Sequence, residues 1–210
     1  SSPRATAAPL PPVPEHSRGR VVPTEITEID EAMIATRVKE DVDDVTITRL
    51  NPSAWQDYKV LRLEALATDP QAFEASYDEL HAKPDTYWTE RLQDVAEGKG
   101  SWLLFAKREQ RLVGMIGALI AEERHIANIT AVFVAEEARG WGIGAGHMSA
   151  ILRELRQDRS IQRLRLYVNT SQTAAVHLYD RFGFLIVDAD RARYGDGQEH
   201  DGYVMERALA

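Results

Sequence analysis

The sequence predicts an α/β fold, with a sheet of mixed direction and helices on both of its faces. Three observations predict it. From residue 45 onward, apolar runs of strand length alternate with segments of helical period. Two runs, residues 102–107 and 112–120, flank the turn Arg108-Glu109-Gln110, the signature of an antiparallel hairpin. Farther on, the order strand, helix, strand, helix, strand over residues 127–187 calls for parallel pairing with crossover helices.

The elements follow in order. Val45-Thr46-Ile47-Thr48-Arg49-Leu50 alternates as a strand and is stopped by Asn51-Pro52. Trp55, Val60, Leu61, Leu63 and Leu66 keep a helical period up to Asp69-Pro70, and a second helix is expected from Pro84, in its first turn, through Trp88 and Leu92 to Gly98. The hairpin comes next, then a strand at residues 127–134. Met148, Ile151, Leu152 and Leu155 mark one face of a following helix. Residues 163–168 read as a strand and 174–182 as a helix closed by Gly183 in the left-handed position. Residues 185–187 and 203–209 complete the sheet.

Ahead of this lie two stretches of different character. Residues 1–23 hold six of the nine prolines and read as a flexible tail. Arg4, Arg18 and Arg20 there face one acid, Glu15, but no apolar core of a targeting peptide accompanies them. Residues 24–44 are acidic with a narrow apolar stripe, and are expected to form a peripheral helix. Residues 45–210 make the domain.

Composition closes several routes. There are no cysteines, which excludes disulfides, thiolate metal sites and a cysteine nucleophile. The histidines show no metal-ligand spacing, so no metal is expected. The net charge of −8 without a basic stripe argues against nucleic acid and mildly favours a cationic partner. No apolar run reaches the roughly 20 residues of a membrane span, and a cytoplasmic location is expected.

The chemistry concentrates at residues 129–145. The apolar run from Ile129 to Val134 is followed by an acidic turn, then Arg139-Gly140-Trp141-Gly142-Ile143-Gly144-Ala145, then a helix. A strand, a glycine-rich loop and a helix start together cradle phosphate, because glycines admit close approach and the helix start offers free N–H groups. A nucleoside-triphosphate loop would need a lysine that is missing here. Gly140-Trp141-Gly142-Ile143-Gly144-Ala145 also fits the dinucleotide pattern. Yet a whole turn separates Val134 from Gly140, and no acid ends the next strand to hold a ribose.

The third reading is coenzyme A. Arg139-Gly140-Trp141-Gly142-Ile143-Gly144 resembles the [QR]-x-x-G-x-[GA] acyl-CoA signature of the GNAT acetyltransferase superfamily. Leu178-Tyr179 with Gly183-Phe184 resembles its LY-x-x-x-GF segment, and Arg62-Leu63-Glu64-Ala65-Leu66 with Asp69-Pro70-Gln71-Ala72-Phe73 is similar to its first helix and acceptor-side loop. The resemblance implies a GNAT-type mixed, mostly antiparallel central sheet of about seven strands flanked by helices on both faces. It also implies transfer of acetyl from acetyl-CoA, without a metal, to a primary amine of a small molecule or peptide in a ternary complex. A homodimer is compatible with it, and a catalytically silent CoA-binding or regulatory module is the alternative.

The resemblance further assigns site residues. Val132, Phe133 and Val134 would run along the pantetheine arm, with a bulge aiming an N–H at the thioester oxygen. Arg139, Gly140, Trp141, Gly142, Ile143, Gly144 and Ala145 would hold the pyrophosphate, and Asn169 and Gln172 would supply amide groups to the cofactor. Tyr179 would be the acid for the departing thiolate. Asn128 stands where some family members carry a basic glutamate, and an amide cannot take a proton. His125, Glu122, Glu123, Glu74 and Asp201 are nearby alternatives, none of them assigned.

Overall fold

The computed structural model describes residues 45–123 and 125–209. The expected tail at 1–23 and acidic helix at 24–44 lie outside them. The chain runs through β1 (Val45–Thr48), α1 (Trp55–Thr68), α2 (Tyr77–His81), α3 (Asp85–Ala96), β2 (Ser101–Arg108), β3 (Arg111–Ile120) and β4 (Ile126–Val134). It continues through α4 (Ile143–Leu155), β5 (Arg163–Asn169), α5 (Thr173–Arg181), β6 (Leu185–Arg193) and β7 (Glu199–Ala208).

The strands form one seven-stranded sheet in the order β1-β2-β3-β4-β5-β7-β6. Every neighbouring pair is antiparallel except β4 and β5, which are joined by the crossover through α4. Two apolar clusters flank the sheet. On one face α1 and α3 bring Tyr58, Leu61 and Trp88 onto Phe105, Met115 and Phe133. On the other, α4 and α5 bring Met148, Ile151 and Tyr179 onto Ile116, Leu166 and Phe184. Strand β3 is buried from Leu112 to Ala118, which accounts for its unbroken apolar run, since both of its faces are covered.

Three elements differ from the sequence expectation. The short helix α2 was not foreseen, although Ser76 and Glu79 close it with a reciprocal capping box. Pro84 is the N-cap of α3 and lies outside its first turn. Strand β6 runs on to Arg193, paired with β7 from Asp190↔Gly202 to Arg193↔Glu199. It is an edge strand, so its charged residues stay solvated while its backbone bonds to β7, and periodicity misses such a strand.

Two irregularities shape the middle of the sheet. Between the pairs Met115↔Phe133 and Gly117↔Thr130 the register shifts, so Ala131 and Val132 together oppose Ile116 in a β-bulge. Ala131 has φ 54°, a left-handed conformation uncommon outside glycine and held by the pairing on either side. The parallel seam is short: β4 and β5 pair only at Ile126↔Arg163, Ala127↔Leu164 and Asn128↔Arg165. Beyond Asn128 the strands diverge.

His147 of α4 is fully buried against Gly114 of β3, where an added Cβ would lie 2.8 Å from its Cε1. Neither ring nitrogen has a hydrogen-bond partner, and burial lowers its pKa to about 4. A histidine held neutral in the fold but free to protonate near 6.5 when unfolded makes acid destabilising. Stability is expected to be full above about pH 6.5 and to fall by about 3 kcal/mol as pH drops toward 4. Chemical denaturation across that range checks this, and His147→Leu should flatten the curve.

Candidate active site

Where β4 and β5 part, the sheet opens a wedge with a cavity volume of about 100 Å³. Its walls are Ile129–Val132 of β4, including the bulge, and the end of β5 from Leu166 to Asn169. Gln172, with Ala175 and Tyr179 of α5, lines it, as do Ala72 and Phe73. The backbone groups that β4 turns toward β5 have no strand to bond beyond Asn128. The wedge can therefore take an extended, amide-bearing chain, with the bulge re-aiming one part of that backbone.

The glycine-rich loop follows β4 and packs against α5 through Gly144. Gly140 and Gly142 have φ of 83° and 76°, and Gly142 is the left-handed N-cap of α4. A Cβ at Gly140 would meet nothing within 4 Å, so that glycine serves the backbone turn and leaves open space beside it. At Gly144 the start of α4 packs closely on α5: a Cβ there would come 3.2 Å from Leu178 Cδ2. The first helical hydrogen bond recorded at this end runs from Gly146 N–H to Gly142 O. The N–H groups of Ile143, Gly144 and Ala145 thus fall before the helix can satisfy them, a site suited to an anion.

The flanking side chains of this loop are engaged elsewhere. Arg139 donates through Nε to Val134 O at 3.0 Å and pairs with Asp69 at 2.5 Å. Trp141 carries the Arg108 guanidinium over its ring at 4.2 Å. Both side chains hold the loop in place, the Arg139 N–H is bonded to Glu136 O, and the backbone from Gly140 onward is the part left to contact a ligand.

The segment after α1 is fastened at three points. Asp69 is held by Arg139. Asn169, buried at the end of β5, donates from Nδ2 to Gln71 O at 3.1 Å while its Oδ1 accepts from Ser171 N–H at 2.9 Å. Phe73 O accepts from Gly195 N–H, in the turn between β6 and β7, at 2.6 Å. The loop bearing Phe73 thereby joins the glycine-rich loop, β5 and the last hairpin into one rim.

Tyr179 is buried, with its ring edge-on to Phe184 at 6.1 Å. Burial pushes its hydroxyl pKa up, so it keeps its proton throughout the working range and acts as a donor. Gln172 is the N-cap of α5, its side chain makes no capping bond, and it lines the same wedge.

The carboxylates and histidine considered as bases are variously placed. Glu123 lies 3.6 Å from Arg165, and its pKa is lowered mainly by a backbone hydrogen bond, with Arg165 and His125 adding to the effect. His125 faces Arg163 at 3.3 Å, Asp201 is bound by Arg191, and Glu74 lies near Tyr194. Glu122 is exposed. Asn128, at the last rung of the seam, has its Oδ1 buried without a partner. Among the described residues no cluster of His, Asp or Glu could hold a metal, and no helix is long and apolar enough to cross a membrane.

Comparison with known proteins agrees with this geometry. Residues 60–184 match the family described as Acetyltransferase (GNAT) family. A mycothiol acetyltransferase of Salinispora tropica is 34% identical over 146 residues, 68% of this chain and 45% of that protein, so the chain spans about half of that relative's length. Two solved structures share the fold. One is a GNAT-family acetyltransferase from Streptococcus pneumoniae, with TM-score 0.69 and 20% identity over 80% of this chain and 100% of that one. The other is a phosphinothricin acetyltransferase from Sinorhizobium meliloti in complex with acetyl-CoA, with TM-score 0.66 and 17% identity over 80% of this chain and 89% of that one. On sequence and architecture together, the chain belongs to the GNAT acetyltransferase family.

Proposed function

We propose that the protein transfers an acetyl group from acetyl-CoA to a primary amine, of a small molecule or a peptide, by direct attack in a ternary complex. The observation that carries this reading is the wedge itself, on which the β4 bulge, Gln172 and Tyr179 converge. When bound, acetyl-CoA supplies an activated acyl carbon and a thiol leaving group. The backbone from Gly140 to Ala145 binds its pyrophosphate at the start of α4. The bulge at Ala131 and Val132 directs a main-chain N–H toward the oxygen that gains charge during attack. Gln172 fixes an amide of the arm, and Tyr179 holds a proton at Oη for the sulfur as the C–S bond breaks.

A second reading, a CoA-binding module without transfer, is favoured by Asn128, whose amide accepts no proton where a base would be useful. Release of CoA from acetyl-CoA over a panel of amines, beside a thermal shift with acetyl-CoA alone, separates the two. Transfer to any amine supports the enzyme. A shift with acetyl-CoA but no transfer across the panel supports the module.

A further inference from the structure

Behind Phe73 lies a group of side chains that the wedge does not use. Arg62 of α1 stacks its guanidinium on the Phe73 ring at 4.5 Å. It is part-buried, and its Nη1 is enclosed without a hydrogen-bond partner. The charged or ionisable groups that act on it are Tyr58, Tyr87 and a second arginine, Arg91 of α3, which faces the Tyr58 hydroxyl. Burial weakens the hold of Arg62 on its proton, and Arg91 adds to the repulsion. Trp88, edge-on to both Tyr58 and Tyr87, also has a buried Nε1 with no partner. Among the described residues, neither Arg62 nor Arg91 forms an ion pair.

The nearest parallel in the molecule is Arg108, stacked on Trp141 with its Nε also buried and unpartnered, but it has no second guanidinium beside it in the way Arg62 has Arg91. Arg49, Arg111, Arg139, Arg163, Arg165 and Arg191 each meet a carboxylate. The chain has 33 acidic residues against 25 basic ones, so carboxylates are not scarce. Two neighbouring guanidiniums left without one, partly out of water, are unfavourable unless an anion joins them. Hydroxyl and guanidinium groups meet here, and among the described residues no carboxylate joins them.

We infer that Arg62 and Arg91, with Tyr58 and Tyr87, bind an anionic group, namely a carboxylate carried by the acceptor amine. The inference rests on the acetyl-transfer reading for the word acceptor, but not for the anion. A guanidinium fork matches a planar carboxylate, and one aromatic ring separates this cluster from the wedge. An acceptor lying across Phe73 would place its amine in the wedge and its carboxylate against Arg62.

The test has two arms, both on the full-length chain. In the first, thermal unfolding is followed with added inorganic phosphate or succinate against chloride at equal ionic strength. The midpoint should rise in the wild type. The rise should be smaller in Arg62→Gln and Arg91→Gln, the remainder coming from the anion site at the start of α4, while the shift given by acetyl-CoA survives in both. No anion-specific rise in the wild type, or an equal rise in the variants, overturns the site. In the second arm, CoA release is measured with an amino acid or dipeptide and with its C-terminal amide. Arg62→Gln should raise KM for the free acid at least about tenfold at similar kcat, and leave the amide unchanged. Equal losses for acid and amide would mean that Arg62 only supports Phe73, and would overturn the proposal. Should no amine release CoA, the acetyl-transfer reading fails, while the first arm still decides the anion site.

Discussion

Tyr179→Phe is expected to lower turnover roughly 10²-fold or more, while the thermal shift produced by acetyl-CoA stays near that of the wild type. The ring keeps its place against Phe184 in the variant, so the change removes one hydroxyl from the wedge and little packing. The direction of the pKa shift defines what that hydroxyl does. Burial raises it, whereas an ordinary thiol titrates near 8.5. Complete proton transfer from Tyr179 to the sulfur is therefore uphill. In the proposed reaction its contribution would be a positioned O–H that stabilises charge on the leaving sulfur as the bond breaks. It follows that no loss of activity up to about pH 10 should come from ionisation of Tyr179. Steady-state kinetics of the variant checks the role, and wild-type turnover would reduce Tyr179 to a packing residue.

Gly195→Ala is expected to act on the acceptor side. A Cβ at this position would lie 2.5 Å from Ala75 O and 3.1 Å from Pro70 O, both backbone atoms of the loop carrying Phe73. Real Cβ atoms do not approach that closely, so the β6–β7 turn must withdraw and the bond from Gly195 N–H to Phe73 O must lengthen or break. Forced displacement of this kind costs about 1–3 kcal/mol of stability. The KM of the amine should rise by a larger factor than the KM of acetyl-CoA, because the altered contact bears on Phe73 directly and on the glycine-rich loop only through the Asp69–Arg139 pair. Unchanged KM for the amine would show that this rim does not shape acceptor binding.

The legible parts of the molecule were those whose cause is local. The strand from Ile129 to Val134, the glycines after it and the helix bearing Tyr179 were readable because burial and turn geometry act on neighbouring residues. The GNAT-type sheet and the family followed from them. Helix α2 had a readable cue in Ser76 and Glu79, but its five residues are too few for periodicity to register. The far half of β6 was hidden because an edge strand tolerates Asp188, Asp190, Arg191 and Arg193, and only pairing with β7 defines it. Ala131 gives no sign in the sequence of its left-handed backbone. The pairing of the Arg139 side chain with Asp69 depends on a contact 70 residues away. The same distance in sequence concealed Asn169 against Gln71 and Arg62 beside Arg91.

The short parallel seam has a consequence for how the protein avoids its own kind. Past Asn128↔Arg165, two strands in the middle of the sheet expose the backbone groups that elsewhere recruit foreign strands and seed aggregates. An outer edge is defended by charge, as β6 is. These inner edges are defended by the width of the gap: Phe73 and α5 stand over it, and β4 and β5 are fixed to each other below. A second protein sheet cannot enter, whereas a slender chain with amides of its own can. The exclusion of neighbours and the admission of a ligand are then set by one dimension, the angle at which β4 and β5 part.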